Sequence, residues 1–380
     1  MSERIPVFKP YIGVDTVKAA VDALDLGWLG MGSYVRDFEA GLGSILGVEG
    51  ERVVAVNTGT SALHLAMLSL GIGPGDEVIT PSFNNIGDFQ AIRLAGAEPV
   101  FCDIDEETLG IDVEKAEALI SARTKAVIGM DYAGIPCRLD ALKEMAARHD
   151  VKVIHDAAHA LGSRLHGRSM AAYGNITVFS FDPVKIITSI DGGALVVETA
   201  AQVEALHRYR LLGMDQSARR MYTNERAWTY DVADRGFRYH LANLHASIGL
   251  SQLELLGGFI ETRRDACRRY ASLLAAVEGL KLPATDFTDV APFIYYVRVG
   301  GGRRDDVIRA LGEAGVDTGI HWIPGHNFTF LRTCRRGELS VTDRIGREIL
   351  TLPLHSFMPA STVERVAHAL SGAIAQRRAA

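Results

Sequence analysis

The chain has 380 residues, with 40 lysines and arginines against 46 aspartates and glutamates, and therefore a formal net charge of −6. This length exceeds what a single hydrophobic core usually serves, so two domains are expected. A hydrophobic share of 48% excludes a disordered chain, and the acidic excess argues against DNA or another polyanion as the main partner. Small-molecule chemistry is the function class that remains.

The lack of a membrane-spanning or signal segment and the lack of paired cysteines indicate where the protein is expected to work. No apolar run approaches the ~18 residues of a membrane span, and the first residues lack the apolar core of a signal peptide, so we expect a cytoplasmic protein with no membrane partner. The four cysteines are far apart and form no CxxC pair, which is typical of reduced packing residues: Cys102, Cys137, Cys267 and Cys334.

Strand-like and helix-like segments alternate from about residue 50 to residue 200. Helices are predicted over 61–70 and 139–148, and the predicted strands are 52–56, 77–80, 99–103, 125–130, 151–155 and 176–181. This alternation predicts an α/β domain with a doubly wound, mainly parallel sheet. Ligands of such sheets bind beyond the carboxyl ends of the strands, so polar residues just after a strand are the best functional candidates.

A smaller α+β domain is expected after a helix that contains residues 248–256. Its predicted elements are helices over 262–277, 304–314 and 362–377, and strands over 293–299 and near 319–322. The sequence therefore predicts a large domain over residues 1–255, with an N-terminal helical arm, and a small C-terminal domain over residues 256–380.

The first candidate site follows the first predicted strand, where a helical run opens with Asn57, Thr58, Gly59, Thr60 and Ser61. A glycine turn at a helix start leaves backbone N–H groups free, and the hydroxyls add donors, which together suit a phosphate. Serine and threonine are also preferred helix caps, so capping alone explains the same residues.

The second candidate site is the segment from His155 through Asp156 to His159, directly after a predicted strand. Two histidines around an acid are known from zinc-binding helices, but here His155 closes a strand and no third ligand is evident, so no metal is expected. A carboxylate at the end of a strand better suits an anchor for a positively charged ring nitrogen.

The third candidate is Lys185, which follows Ser180 and lies beside Ile186 and Ile187. Apolar surroundings lower the pKa of a lysine and free its amine to form a Schiff base with a carbonyl. A single lysine is usually a solvated charge. The ordered set of a phosphate cup, an acid, and then a serine with a lysine favours cofactor chemistry instead.

With these motifs in this order, the chain resembles the PLP-dependent nucleotide-sugar aminotransferases of the DegT/StrS type, which have the aspartate aminotransferase (type I) fold. The resemblance covers nearly the whole length and includes Gly27-Trp28-Leu29, Gly75-Asp76-Glu77, Ala246-Ser247-Ile248-Gly249 and Leu352-Pro353-Leu354-His355. It implies a large domain with a mainly parallel sheet and a small α+β C-terminal domain.

The resemblance also implies a role for each matched residue. Lys185 would bind PLP covalently and move the proton between cofactor and substrate, while Asp156 would pair with the pyridinium nitrogen. The ring hydroxyl would meet His159. The phosphate would be bound by Thr60, Ser61 and Ser180, and the substrate by Trp28, His321 and His326. For the last two histidines, the polar surface of a loop is an equally simple explanation.

Two positions depart from the family pattern. Asn85 stands where the family usually has an aromatic residue stacked on the PLP ring, so either Asn85 lies flat on the ring or Phe83 or Phe89 covers it. Arg238 replaces an asparagine in the segment that the family extends into the other subunit's active site. Its guanidinium would bind the PLP phosphate or turn to the diphosphate of the substrate.

These assignments imply transamination of a nucleotide-linked keto-sugar by a homodimer with shared active sites, with L-glutamate as the amino donor. The tetrapeptide Asp182-Pro183-Val184-Lys185 favours a subgroup that acts at C4, and so a 4-keto-6-deoxy hexose. Two alternatives stay open: an aminotransferase for a cyclic polyol ketone of the inosose type, and a PLP-binding sensor without turnover. A sugar dehydratase of the same family would carry histidine in place of Lys185.

Overall fold

The computed structural model describes residues 4–215, 218–226 and 228–376. Twelve strands lie within these described ranges: β1 (Val53–Val56), β2 (Glu77–Pro81), β3 (Glu98–Cys102), β4 (Thr124–Met130), β5 (Lys152–Asp156), β6 (Arg164–Leu165), β7 (Arg168–Ser169), β8 (Ile176–Ser180), β9 (Gly193–Val197), β10 (Leu280–Lys281), β11 (Tyr295–Val299) and β12 (Ile349–Leu352).

The α-helices of the same residues are α1 (Val14–Asp25), α2 (Ser33–Leu46), α3 (Gly59–Ser69), α4 (Ile86–Leu94), α5 (Val113–Ala118), α6 (Leu139–Arg148), α7 (Ala200–Tyr209), α8 (Ala218–Tyr222), α9 (Asn243–Leu253), α10 (Leu256–Leu274), α11 (Arg304–Glu313), α12 (Ser340–Glu348) and α13 (Ala360–Gln376). Within the described part of the chain, none of them is both long and apolar enough to cross a membrane.

Seven strands form the large sheet, in the order β1-β9-β8-β5-β4-β2-β3. Strands β8, β5, β4, β2 and β3 run parallel, whereas β9 runs antiparallel to both of its neighbours, β1 and β8. All six strands predicted for this region are present, and the α/β fold class is confirmed. Strand β9 was not predicted, because its five residues follow directly on a glycine-rich turn and carry no alternating pattern.

The parallel strands read as apolar runs because helices cover both faces of the sheet. On β4, Ala126 and Ile128 pack into one apolar cluster, while Val127, which lies between them, packs into another on the opposite face. Polar side chains are therefore displaced to the strand ends, where the candidate residues lie.

A second, antiparallel sheet has the order β10-β11-β12. Residues 319–322, predicted as a strand, form only a single bridge between Gly319 and Thr351, and β12 supplies the third strand instead. The predicted helix over 248–256 is divided between α9 and α10, and α10 begins before the predicted residue 262. The division of the chain at residue 255 stays a prediction.

Charged contacts tie the smaller sheet to the larger one at the loop after β3. Glu106 accepts hydrogen bonds from Lys281 at 2.6 Å, Arg298 at 3.0 Å and Arg344 at 2.7 Å. These three cations hold the pKa of Glu106 below its ordinary value. Nearby, the Asp103 carboxylate accepts the backbone N–H of Thr342 at 2.7 Å, near the start of α12. The second sheet is thereby held beside the carboxyl ends of the parallel strands.

Candidate active site

The candidate residues meet at the carboxyl ends of β5 and β8, which are neighbours in the sheet. Asp156 is the last residue of β5, Ser180 is the last residue of β8, and Lys185 lies in the turn that follows β8. A cavity opens here, lined by Ala158, His159, Leu161, Ser180, Lys185, Ile186, Ile187 and Phe293. The structure thus brings three of the residues predicted from separate motifs into one place.

Lys185 lies in an apolar corner of this cavity. Its Nζ is 4.4 Å from the ring centroid of Phe293. Burial lowers the pKa of Lys185 to about 8, against the opposing charges of Asp156 and Asp182. About a tenth of the amine is therefore neutral at pH 7, far more than at the ordinary pKa of a lysine, and the neutral amine is the state that a nucleophile or a general base requires.

Asp156 is almost fully buried behind the lysine, and burial raises its pKa. Its Oδ1 accepts the backbone N–H of Ala158 at 2.9 Å. The adjacent His155 is held by Asp131, at 2.7 Å from Nε2, and by the Met170 carbonyl, at 3.1 Å from Nδ1. Both ring nitrogens of His155 therefore have a partner within the protein, and the ion pair with Asp131 accounts for a histidine at this buried position.

His159 is buried between two aromatic rings. The centroid of Phe293 is 4.2 Å from its ring, and that of Trp322 is 5.1 Å away at an interplanar angle of 30°. Burial and the charge of Lys185 lower the pKa of His159 well below its ordinary value. Its Nδ1 has no hydrogen-bond partner among the described residues. The Nδ1 of this neutral imidazole is therefore available to a ligand.

His321 lies in the wall beside Trp322, with Nδ1 2.9 Å from the Thr351 hydroxyl. Burial, and then the charge of Lys185, lower the pKa of His321 to about 4. The Tyr132 hydroxyl donates to the backbone carbonyl of His321 and holds this segment against the sheet. His321 therefore lies close enough to Lys185 to feel its charge, whereas the predicted contact of His321 with a substrate stays a prediction.

The start of α3 forms one side of the site. Not all of the hydrogen-bond donors predicted there are free to bind a ligand. Thr58 caps the helix and accepts the Ser61 N–H at 2.9 Å, while the Ser61 hydroxyl donates to Asn57 Oδ1 at 2.6 Å. Both donors of Ser61 are used within the protein, so capping accounts for its side chain in the described structure, and the contact of Ser61 with a phosphate stays a prediction. Thr60 is exposed at the helix start.

Gly59 lets Ser180 approach this helix start closely. A Cβ at Gly59 would lie 2.9 Å from the Cβ and Oγ of Ser180, closer than real Cβ atoms come. The Ser180 hydroxyl therefore lies beside the start of α3, where Thr60 is exposed. Such a helix N-terminus favours a phosphate through free N–H groups and the helix dipole.

Asn85 is exposed at the start of α4 and caps it, accepting the Gly87 N–H at 2.8 Å. A Cβ at Gly87 would lie 3.0 Å from Asn85 Oδ1 and 3.2 Å from Thr60 Oγ1, so Asn85 adjoins the helix start described above. Phe89 belongs to a separate cluster with Phe101, which makes the alternative of Phe89 as a ring cover wrong. Whether Asn85 itself covers a ring stays a prediction.

Phe83 is fully buried and packs on Tyr132 at 5.3 Å between ring centroids, with Trp322 at 6.4 Å. It therefore supports the aromatic wall from behind. Neither Phe293 nor Trp322 was singled out from the sequence, since each belongs to a loop more than 100 residues after Lys185 and no motif marks it. Asp88, in α4, was also missed.

Three predicted residues do not contact this group in the described structure. Trp28 donates from Nε1 to the Met31 carbonyl at 2.8 Å, and Arg238 is exposed. His326 is buried between Ser82, 2.8 Å from Nδ1, and Asp343, 3.0 Å from Nε2. Both ring nitrogens of His326 are therefore engaged within the protein, and its contact with a substrate stays a prediction.

Comparison with known proteins identifies relatives over almost the whole chain. Residues 10–371 match the model of the DegT/DnrJ/EryC1/StrS aminotransferase family. The crystal structure of an aminotransferase, TlmJ from Streptoalloteichus hindustanus, is 34% identical, with a TM-score of 0.92 over 98% of this chain and 100% of that one. DesV from S. venezuelae, solved with a ketimine intermediate, is 30% identical, with a TM-score of 0.90 over 98% and 99%.

A putative sugar aminotransferase from Streptococcus pneumoniae, Spr1654 in its PMP form, is 25% identical, with a TM-score of 0.91 over 99% of each chain. The family model, the shared fold and this bound cofactor agree on PLP as the cofactor and on amino transfer as the reaction. The chain therefore belongs to the DegT/DnrJ/EryC1/StrS family of PLP-dependent sugar aminotransferases.

Proposed function

We propose that this enzyme transfers the amino group of L-glutamate to a nucleotide-linked keto-sugar of the 4-keto-6-deoxy hexose type. The observation that carries the proposal is the buried amine of Lys185 between Asp156 and the stacked His159, at the edge of the sheet where Ser180 meets the start of α3. Other enzymes of similar structure are described as sugar aminotransferases, such as CalS13 from Micromonospora echinospora, at 28% identity.

The residues present fit pyridoxal phosphate. The buried Nδ1 of His159 lacks a partner among the described residues and is suited to the ring hydroxyl, and the close approach of Ser180 to the start of α3 is suited to the phosphate. Asp156 would hold the ring nitrogen, and Lys185 would form the covalent bond. When bound, the cofactor supplies an electron sink that stabilises negative charge on the substrate carbon.

The protein's own residues would then control proton movement and water. Because the pKa of Lys185 is lowered to about 8 by burial, its Nζ gives up and takes back a proton readily at neutral pH. His159, kept neutral, offers a hydrogen bond without adding a positive charge next to the lysine. Phe293 and Trp322 cover this pair and keep water from the reacting centre.

The proposed substrates are anionic, and the cavity offers few cations to receive them. Lys185 is the one lysine or arginine among the described residues that line it. We therefore place Arg238 in the site of a partner subunit, where its exposed guanidinium would bind the cofactor phosphate or the sugar diphosphate. Trp28 and His321 are proposed to contact the sugar.

A homodimer is supported by an apolar stripe on α1. Its members, three or four residues apart along the helix, are 48% to 84% exposed: Val14, Val17, Val21 and Leu24. Such a contiguous apolar face on a helix is typical of an interface.

The test begins with protein loaded with pyridoxamine phosphate. A panel of nucleotide 4-keto-6-deoxy sugars and inososes is offered, and the return of the lysine-bound cofactor absorbance is followed for each. We expect a nucleotide keto-sugar to restore it in wild type, Lys185→Ala to lose it, and Lys143→Ala, which changes an exposed lysine of α6, to retain it.

Two outcomes would contradict the proposal. Response to an inosose alone would favour the cyclic polyol ketone, for which the cofactor residues would be the same. If wild type bound PLP but exchanged no amino group with glutamate or any ketone, a sensor without turnover would be favoured instead.

A further inference from the structure

Asp88 is a buried carboxyl group that the assigned cofactor contacts leave unexplained. It lies in the first turn of α4 and has 0% exposure. Neither of its oxygens has an aligned hydrogen-bond donor among the described residues. An ionised carboxylate without a partner in such a place would strongly destabilise the folded state. Asp88 must therefore be protonated or share a proton with a neighbouring group.

The neighbour that Asp88 meets is Asp156, at the end of β5. The two carboxyl groups interact both through charge and through hydrogen-bonding contact. Because both are buried, they cannot both be ionised at moderate cost, and a pair of this kind holds one proton between its members. The negative charge is more stable on Asp156 than on Asp88. Among the described residues, Asp156 accepts a backbone N–H, that of Ala158, and Asp88 accepts none.

The surrounding charges support the same distribution. Lys185 and His155 face Asp156 and favour its ionised form, and His155 is in turn balanced by Asp131. For Asp88, burial and the charge of Asp156 raise the pKa well above its ordinary value. The Asn84 amide lowers the pKa of Asp88 by a smaller amount, and its Nδ2 makes no aligned hydrogen bond with any described residue.

We propose that Asp88 is a positioning residue that stays protonated and donates its O–H to the carboxylate of Asp156. The pair then carries one proton and one negative charge, and Asp156 is held by two donors, the Ala158 N–H and the Asp88 hydroxyl. This fixes the carboxylate that faces the ring nitrogen and limits its basicity. The functional meaning rests on the proposed role of Asp156, but the carboxyl pair is tested in cofactor-free protein, so the two can fail separately.

The experiment compares full-length, cofactor-free wild type with Asp88→Asn, whose amide also donates to Asp156 but has no acidic proton. Infrared difference spectra at neutral pH are expected to show a protonated-carboxyl carbonyl band in wild type that Asp88→Asn loses. Urea unfolding at several pH values gives the second readout. Asp265→Asn, an exposed carboxyl of α10, is the matched control.

The sign of the pH effect follows from the raised pKa of Asp88. Above the ordinary pKa of aspartate the folded state binds one more proton than the unfolded state, so wild type loses stability as pH rises. The folding constant of Asp88→Asn relative to wild type should therefore grow about tenfold per pH unit until the raised pKa is reached. The ratio for Asp265→Asn should stay flat.

If Asp88→Asn fails to fold, Asp156→Asn answers the same question. Removing the neighbouring charge should shift the loss of the carboxyl band on titration to lower pH. The proposal is overturned if wild type lacks the band, if the stability ratio of Asp88→Asn does not change with pH, or if Asp156→Asn leaves the titration of the band where it was.

Discussion

The buried amine of Lys185 should make the cofactor-free protein less stable than it would be without it. Burial lowers the pKa of Lys185 from 10.5 to about 8, so the folded state resists the charged amine that the unfolded state accepts freely. Lys185→Met keeps the length of the side chain and removes the charge. We expect this change to abolish amino transfer and to stabilise the cofactor-free fold at neutral pH.

The magnitude follows from the difference between the two pKa values. At pH 7 the cost of the charged amine amounts to about 3 kcal/mol in the free energy of unfolding, at 1.36 kcal/mol per pH unit. Between about pH 8 and about pH 10.5 the folded state holds fewer protons than the unfolded state, so wild type gains stability as pH rises. The advantage of Lys185→Met should fall to about 2 kcal/mol at pH 9 and below about 1 kcal/mol at pH 10.

Urea unfolding of cofactor-free wild type and variant at these pH values measures the effect. Methionine also changes packing, but a packing difference is independent of pH, so the slope isolates the amine. Lys125→Met, an exposed lysine of strand β4, is the control and should show no such slope. An advantage of Lys185→Met that stayed constant from pH 7 to pH 10 would refute the lowered pKa.

Three further changes probe the pocket and the contacts that support it. Gly59→Ala places a methyl group 2.9 Å from Ser180 and should weaken PLP binding roughly tenfold or more in an absorbance titration, while Gly257→Ala, with no neighbour within 4 Å, should not. Glu106→Gln removes the negative charge that pairs with three cations and should cost about 1 kcal/mol in urea unfolding at pH 7. That cost should shrink as pH falls below the ordinary pKa of glutamate, because the pKa of Glu106 is held low only in the folded state; an undiminished cost in acid would argue against ion pairing. Tyr222→Phe deprives the buried Arg210 of an acceptor 2.6 Å away and should cost about 1–3 kcal/mol in unfolding, against no change for the exposed Tyr230→Phe.

The parallel sheet was predictable because its strands are buried on both faces, so that each appears as an unbroken apolar run in the sequence. The same burial displaces polar residues to the strand ends. For that reason the sequence alone predicts that Asp156, Ser180 and Lys185 lie together. The antiparallel β9 was missed, since a five-residue run after two glycines carries no signal of its pairing.

The aromatic residues that cover His159 could not be predicted from the sequence, for a different reason. Phe293 and Trp322 come from loops distant in sequence, and only the docking of the second sheet places them over His159. Ser61 shows a second limit. A hydroxyl at a helix start serves capping and phosphate binding equally well by type, and only the distance to Asn57 shows which role its side chain has taken.

A protein with a net charge of −6 would repel the anionic ligands of the proposed reaction unless individual groups in the site attract them. With Asp88 protonated as proposed and His159 and His321 neutral, the negative charge on Asp156 lies against a Lys185 amine that is mostly charged at neutral pH. A site so nearly neutral must draw its attraction for phosphates from the N–H groups of α3 and from side chains outside its own cavity. For this reason we propose that an exposed arginine such as Arg238, which does not line the described cavity of its own chain, serves the active site of a partner subunit.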